Sequence, residues 1–154
     1  MNAEHVNPFL DAFKNVMGQL GFANIKTGKL SKKGKEMSAT GVMLIVGIVG
    51  EIKGNVVYVL GEEDGKKIAS KMMMGMPVAE LDDMAKSAIS ELSNMLTANA
   101  ATSFSNSGVL IDISAPTFLQ GKNVAITMSS DTVIAMELIA DDATVEVNIS
   151  FNSK

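Results

Sequence analysis

An α+β domain, with helices packed on a largely antiparallel sheet, follows from three observations on this sequence. The apolar spacing runs in the order helix, two strands, two helices, four strands, so strands cluster instead of alternating with helices. The longest helical pattern, residues 80–104, supplies one long helix with two others beside it. No linker, low-complexity stretch or repeat of about 20–50 residues interrupts the chain. Residues 1–154 therefore read as a single domain, and the 47% apolar fraction is enough for a packed core.

Each element has its own signal. Asn7-Pro8 offers an N-cap followed by proline at the first helical position, and Phe9, Leu10, Phe13, Val16, Met17 and Leu20 follow at helical spacing up to Gly21. Residues 26–40 hold five lysines and two glycines. They lack the Gly-Lys-Ser/Thr ending of a phosphate loop and read as a solvated loop or hairpin. Residues 42–49 and 55–60 are rich in β-branched side chains and read as two strands joined around Lys53-Gly54. Residues 62–74 form a helix with an acidic start, ended by Gly75 with Pro77 beyond. Its Met72-Met73-Met74 run reads as core filling at a helix end rather than as an adaptable contact surface. After Gly108, strands are expected at 109–114, 124–128, 132–139 and 144–151. Gly121-Lys122-Asn123, Ser129-Ser130-Asp131 and Asp141-Asp142 supply the turns between them.

Composition narrows the chemistry. With no cysteine there is no disulfide framework, thiol nucleophile or cysteine-ligated metal. The single histidine, His5, sits near an end expected to be mobile, which argues against a histidine triad or a His-rich metal site. A net charge of −4 argues against nucleic acid as a partner. All 13 basic residues are lysines, so the chain has no arginine finger and no bidentate guanidinium clamp for phosphate. Charge neutralisation in any phosphate chemistry must come from elsewhere. The start is polar, without the basic and apolar regions of a signal peptide, and the longest apolar run, residues 41–50, is half the roughly 20 residues a membrane helix needs. The protein reads as cytoplasmic, with no membrane contact. The sequon Asn148-Ile149-Ser150 reads as chance.

The long helix is where the sequence departs from the ordinary. Advancing about 100° per residue, Leu81, Met84, Ala85, Ala88, Leu92, Met95 and Leu96 fall on one core-facing stripe. The neighbouring face holds Ser87, Ser90, Glu91, Asn94, Ala98 and Ala101. Between Ser87 and Ile111, Glu91 is the one charged residue, where a solvated helix carries several charges of both signs. Small residues admit the close approach of another protein, and Glu91 and Asn94 project among them. Residues three apart on a helix have Cβ atoms about 5–6 Å apart, so the two side chains reach one small site from a rigid element. The same Glu-x-x-Asn spacing occurs at Glu4 and Asn7, where Pro8 makes Asn7 a cap, and Glu91 can equally serve its own helix or pair with a lysine.

The run Ser87-Ala88-Ile89-Ser90-Glu91-Leu92-Ser93-Asn94-Met95 resembles the signature helix of the CheC/CheX/FliY phosphatases, and the chain as a whole resembles the CheX branch. The likeness extends through Val6-Asn7, Gly50-Glu51-Ile52-Lys53-Gly54, Met72 to Gly75, Asp112-Ile113-Ser114-Ala115-Pro116-Thr117 and Gly121, in order. The resemblance implies a CheC-like fold and removal of phosphate from the phospho-aspartate of a CheY-type response regulator. It gives Glu91 the role of docking the regulator and Asn94 that of orienting the attacking water, with Ser87, Ser90 and Ala98 on the contact surface. It further implies one site per chain, a homodimer formed by sheet pairing, no cofactor of the chain's own and Mg²⁺ carried by the phosphorylated partner. Ser90, Ser93 and Ala98 stand where the family commonly has glycines, and all three remain small.

Two other readings compete. One is a non-catalytic dimer of the same fold that binds a regulator without turnover. The other is a metal-dependent hydrolase built on Glu80, Asp82 and Asp83, an acidic cluster that a helix N-terminus favours in any case.

Overall fold

The computed structural model describes residues 3–152. In chain order the elements are α1 (Ala3–Gln19), β1 (Ile25–Lys33), β2 (Glu36–Gly50), β3 (Gly54–Leu60), α2 (Glu62–Met72), α3 (Asp83–Asn106), β4 (Ile111–Ile113), β5 (Thr117–Thr127), β6 (Val133–Ala140) and β7 (Ala143–Phe151). The strands form one antiparallel sheet in the order β1-β6-β7-β3-β2-β4, with β5 also paired to β2. The fold is α+β, as the pattern of elements requires. Among the described residues, no helix is long and apolar enough to cross a membrane.

Period-two alternation builds the main core. Val42, Leu44, Val46 and Ile48 of β2, Val56, Tyr58 and Leu60 of β3, and Val145, Val147 and Ile149 of β7 share one buried cluster with all three helices. Phe9, Phe13, Val16 and Met17 enter it from α1, Ile68 and Ala69 from α2, and Ile89, Leu92, Leu96 and Ala100 from α3. Each fully buried Val, Leu, Ile, Phe or Met side chain contributes about 1.5–3 kcal/mol of transfer free energy. A smaller cluster forms on the opposite face, where Met37, Ala39, Ile126 and Met128 pack with Met43, Val57 and Val133.

Several sequence expectations change. Helix α1 begins at Ala3 and contains Pro8, so Asn7 lies within the helix and does not cap it. Tertiary packing holds the additional turn. His5, half-buried instead of loose, meets the Phe151 ring edge-on at 5.3 Å and lies 6.5 Å from Phe104. Residues 26–40 are neither loop nor hairpin: they form β1 and the first part of β2, which pair with β6 and β5 respectively instead of with each other. Strand β1 is an exposed edge, and its lysines hide the alternation while blunting edge-to-edge association. Gly121-Lys122-Asn123 is not a turn. It lies inside β5, opposite a bulge in β2 between Ala39 and Gly41, where the Asn123 N–H donates to Thr40 Oγ1 at 3.0 Å. Gly41 adopts φ +112°, and a Cβ there would stand 2.5 Å from the Leu60 carbonyl oxygen. At the end of α2, Met72 and Met73 pack against the core, whereas Met74 is 95% exposed. The sequon asparagine, Asn148, is buried in β7 and donates to the Val57 carbonyl, which leaves no room for a glycan.

One buried polar chain ties helix to sheet. Thr97 Oγ1 donates to the Ser93 carbonyl at 2.7 Å, so Tyr58 Oη, 2.8 Å away, donates to Thr97 Oγ1. Burial raises the ionisation of Tyr58 far above the ordinary tyrosine range, because the phenolate would be stranded in the core. Its neutral form contributes stability that is present below the unfolded pKa of about 10 and lost as pH rises above it. Tyr58 is the single tyrosine, so its tyrosinate absorbance is expected to appear together with unfolding in an alkaline titration. Tyr58→Phe should lower stability by about 1 kcal/mol at neutral pH. It should also lose less stability than the parent chain above pH ~10 in denaturant titrations. Free titration of Tyr58 in the folded chain would contradict this account.

Candidate active site on the third helix

Helix α3 is capped by Asp82, whose Oδ1 accepts from the Ala85 N–H at 2.9 Å. The cap gives a structural role to Asp82, one member of the acidic cluster considered as a metal centre. Among the described residues, no group of three His, Asp or Glu side chains converges as metal ligands do.

The helix sits rotated relative to the expected stripe. Ala85, Leu92 and Leu96 are buried as anticipated, but Met84 is 64% exposed. Ile89, Ser93, Thr97, Ala100 and Phe104 fill the core side. Two of these are polar, and each satisfies its hydroxyl on its own helix: Ser93 Oγ donates to the Ser90 carbonyl at 2.7 Å, and Thr97 follows the same pattern. With their hydroxyls bonded, they pack inward at no unsatisfied polar cost.

The outward face holds the candidates. Ser87, Glu91 and Ala98 are exposed, and Ser90 and Asn94 are half-buried. Ser87, Ser90, Glu91 and Asn94 line one open groove of about 610 Å³, together with Asp83 and Lys86 from the same helix. Ala98 lies on this face beyond the groove. The opposite wall is Ala115, Pro116 and Phe118, from the link between β4 and β5 and the start of β5. That wall is anchored: the Gly47 N–H donates to Ser114 Oγ at 2.8 Å and the Ser114 N–H donates to the Gly47 carbonyl at 2.9 Å, which pins the link to β2.

Glu91 serves no structural pairing among the described residues. The three ion pairs among the described residues are Lys33–Glu146, Lys66–Glu63 and Lys67–Asp142. Neither Glu91 nor Asn94 makes a side-chain hydrogen bond or ion pair with another described residue, so both present their polar groups to whatever enters the groove. Sequence reasoning missed Lys86, which lies on α3 just ahead of the uncharged face, and Phe118, because that wall comes from a segment about 30 residues further along the chain. The one pointer to that wall was the Ala115-Pro116-Thr117 run.

Residues 42–138, more than half the chain, match the family described as chemotaxis phosphatase CheX. The chain belongs to the CheX family. It is 33% identical over 127 residues to the CheY-P phosphatase CheX of Thermotoga maritima, covering 82% of this chain and 81% of that one. The fold superposes with a TM-score of 0.86 on a CheC-like superfamily protein from a Shewanella species, at 29% identity and over 99% and 100% of the two chains. The CheX–CheY–BeF3–Mg²⁺ complex from Borrelia burgdorferi matches with a TM-score of 0.81 at 28% identity, over 97% of this chain and 98% of that one. The CheX fold thus accounts for the sheet and for the long helix that carries the groove.

The orientation of the groove depends on how α3 starts. Asp82→Ala is expected to destabilise the chain by about 1 kcal/mol through loss of the cap. Hydrogen exchange at the Ala85 amide should accelerate more than at the amides of residues 92–97; equal acceleration along the helix would show global loosening instead.

Proposed function

We propose that this CheX-family chain is a phosphatase that hydrolyses the phospho-aspartate of a CheY-type response regulator in the cytoplasm, and that it works as a homodimer. The observation that carries this reading is the juxtaposition of Glu91 and Asn94 in one groove, on a rigid helix, with neither side chain engaged elsewhere among the described residues. The CheY-P phosphatase activity named for the Thermotoga relative and the CheX–CheY complex from Borrelia support it.

Acyl-phosphate hydrolysis passes through a loose transition state, so catalysis rests on positioning and on charge stabilisation. Asn94 holds the attacking water in line with phosphorus, its carboxamide accepting one water hydrogen while the amide NH₂ can donate. A carboxylate in its place would repel the phosphoryl oxygens. Glu91 pairs with a cation beside the regulator's phosphorylation site and fixes the approach. Ser87 and Ser90, and further along the helix Ala98, keep that face low enough for the partner to reach Asn94. Mg²⁺ carried by the regulator supplies the positive charge on the phosphoryl group when bound. The absence of arginine from this chain is consistent with that division of labour.

The test is phosphate release from a Mg²⁺-loaded, phosphorylated CheY-type regulator. The parent chain should accelerate it. Asn94→Ala should slow the accelerated rate by roughly 10²-fold or more, since misplacing a reacting group by about 1 Å has an effect of that size. Binding should weaken little in Asn94→Ala, whereas Glu91→Ala should weaken both binding and rate. Normal turnover by both variants would remove the assignment of these residues, and binding by the parent without acceleration would favour the non-catalytic dimer.

A further inference from the structure

The groove contains two charges that the mechanism above leaves unused, Asp83 at the start of the helix and Lys86. Lys86 lines the groove and its Nζ lies 5.8 Å from the centroid of the Phe118 ring, which faces the same cavity. It takes part in none of the three ion pairs among the described residues. The ring holds the ammonium at the wall without neutralising it.

The helix places this charge across from Glu91. Five residues advance about 7.5 Å along the axis and turn about 140° around it. Asp83, Ser87, Ser90 and Asn94 fall between the two directions; beyond Asp83 at the helix start, a strip of uncharged residues is flanked by a carboxylate on one side and an ammonium on the other. A partner entering this groove meets opposite charges at its two margins.

We propose that Lys86 is a second docking contact and a specificity determinant of the groove, pairing with a carboxylate on the response regulator while Glu91 pairs with a cation. The proposal rests on the phosphatase reading for its choice of partner. Its physical content is orientation. One ion pair leaves the regulator free to pivot about Glu91, whereas two pairs of opposite sign admit one orientation and penalise the reversed one. Regulators lacking an acidic residue at the matching place would be poor substrates, and a like charge there would be rejected.

The experiment compares parent, Lys86→Arg, Lys86→Met and Lys86→Glu with a Mg²⁺-loaded CheY-type regulator phosphorylated by acetyl phosphate. Steady-state kinetics and direct binding are each followed across a range of salt concentrations. Lys86→Arg keeps the charge and the ring contact and should stay close to the parent. Lys86→Met keeps the apolar stem against Phe118 but should raise KM several-fold, and Lys86→Glu should raise it about tenfold or more. In both, kcat should fall much less than KM rises, and KM should depend less steeply on salt than in the parent. If Lys86→Met behaves as the parent, or if the losses appear in kcat or thermal stability with salt dependence unchanged, Lys86 merely packs on Phe118 and the proposal fails. A parent that binds without accelerating phosphate release removes the phosphatase reading alone, and the binding titrations of the same variants then decide Lys86. A parent that neither binds nor accelerates removes both.

Discussion

The seating of α3 on the sheet is the constraint from which the groove follows. Ile89, Leu92, Leu96 and Ala100 anchor one side of the helix in the core, and the Tyr58–Thr97–Ser93 hydrogen-bond chain selects a single rotation among those that would bury similar area. Apolar burial alone is non-directional and tolerates small rotations. A buried hydroxyl does not, because losing its partner costs about 1–3 kcal/mol. A shift of one residue in the helix would move every side chain by about 100° and carry Asn94 out of the groove.

The opposite wall depends on a separate device. Ser114 forms a two-way hydrogen-bonded clamp with the Gly47 backbone, which holds Ala115 and Pro116 beside the helix. Gly47 can serve because it lies on β2, whose other residues reach the core beneath α3. Both walls are therefore referred to the same sheet, the helix through Tyr58 of β3 and the link through Gly47 of β2, and their separation is set by the sheet rather than by a loop. This suits a site in which the proposed chemistry is positioning.

Charge in the groove follows from what the core excludes. A helix packed on the sheet, on α1 and on α2 has little solvated arc left, and the segment after Ser87 accordingly carries Glu91 as its one charge as far as Ile111. Lys86 sits just ahead of that segment, where the Phe118 ring gives its stem an apolar surface and its ammonium a weak partner. The small residues between the two charges leave room for another protein's surface.

Much of this was legible in the chain itself. Helical spacing located α2 and α3, β-branched runs located β2, β3, β6 and β7, and the bare charge pattern around Glu91 pointed to the face that lines the groove. Local pattern failed where a tertiary partner overrode it. Pro8 reads as a helix start, yet ring packing on Phe151 and Phe104 holds a further turn before it. Gly121 reads as a turn, but β2 is long enough to carry β5 past it through a bulge. The lysines of β1 conceal an edge strand, since an exposed edge need not alternate. Met84 was expected in the core because apolar spacing gives the width of a buried arc but not its centre. What the sequence by itself determined was the class of fold and the pair Glu91 and Asn94 on one helix. Only the tertiary structure decided which way that helix faces and that Pro116 and Phe118 meet it beside Lys86, because those contacts join residues about 30–70 positions apart through a shared sheet.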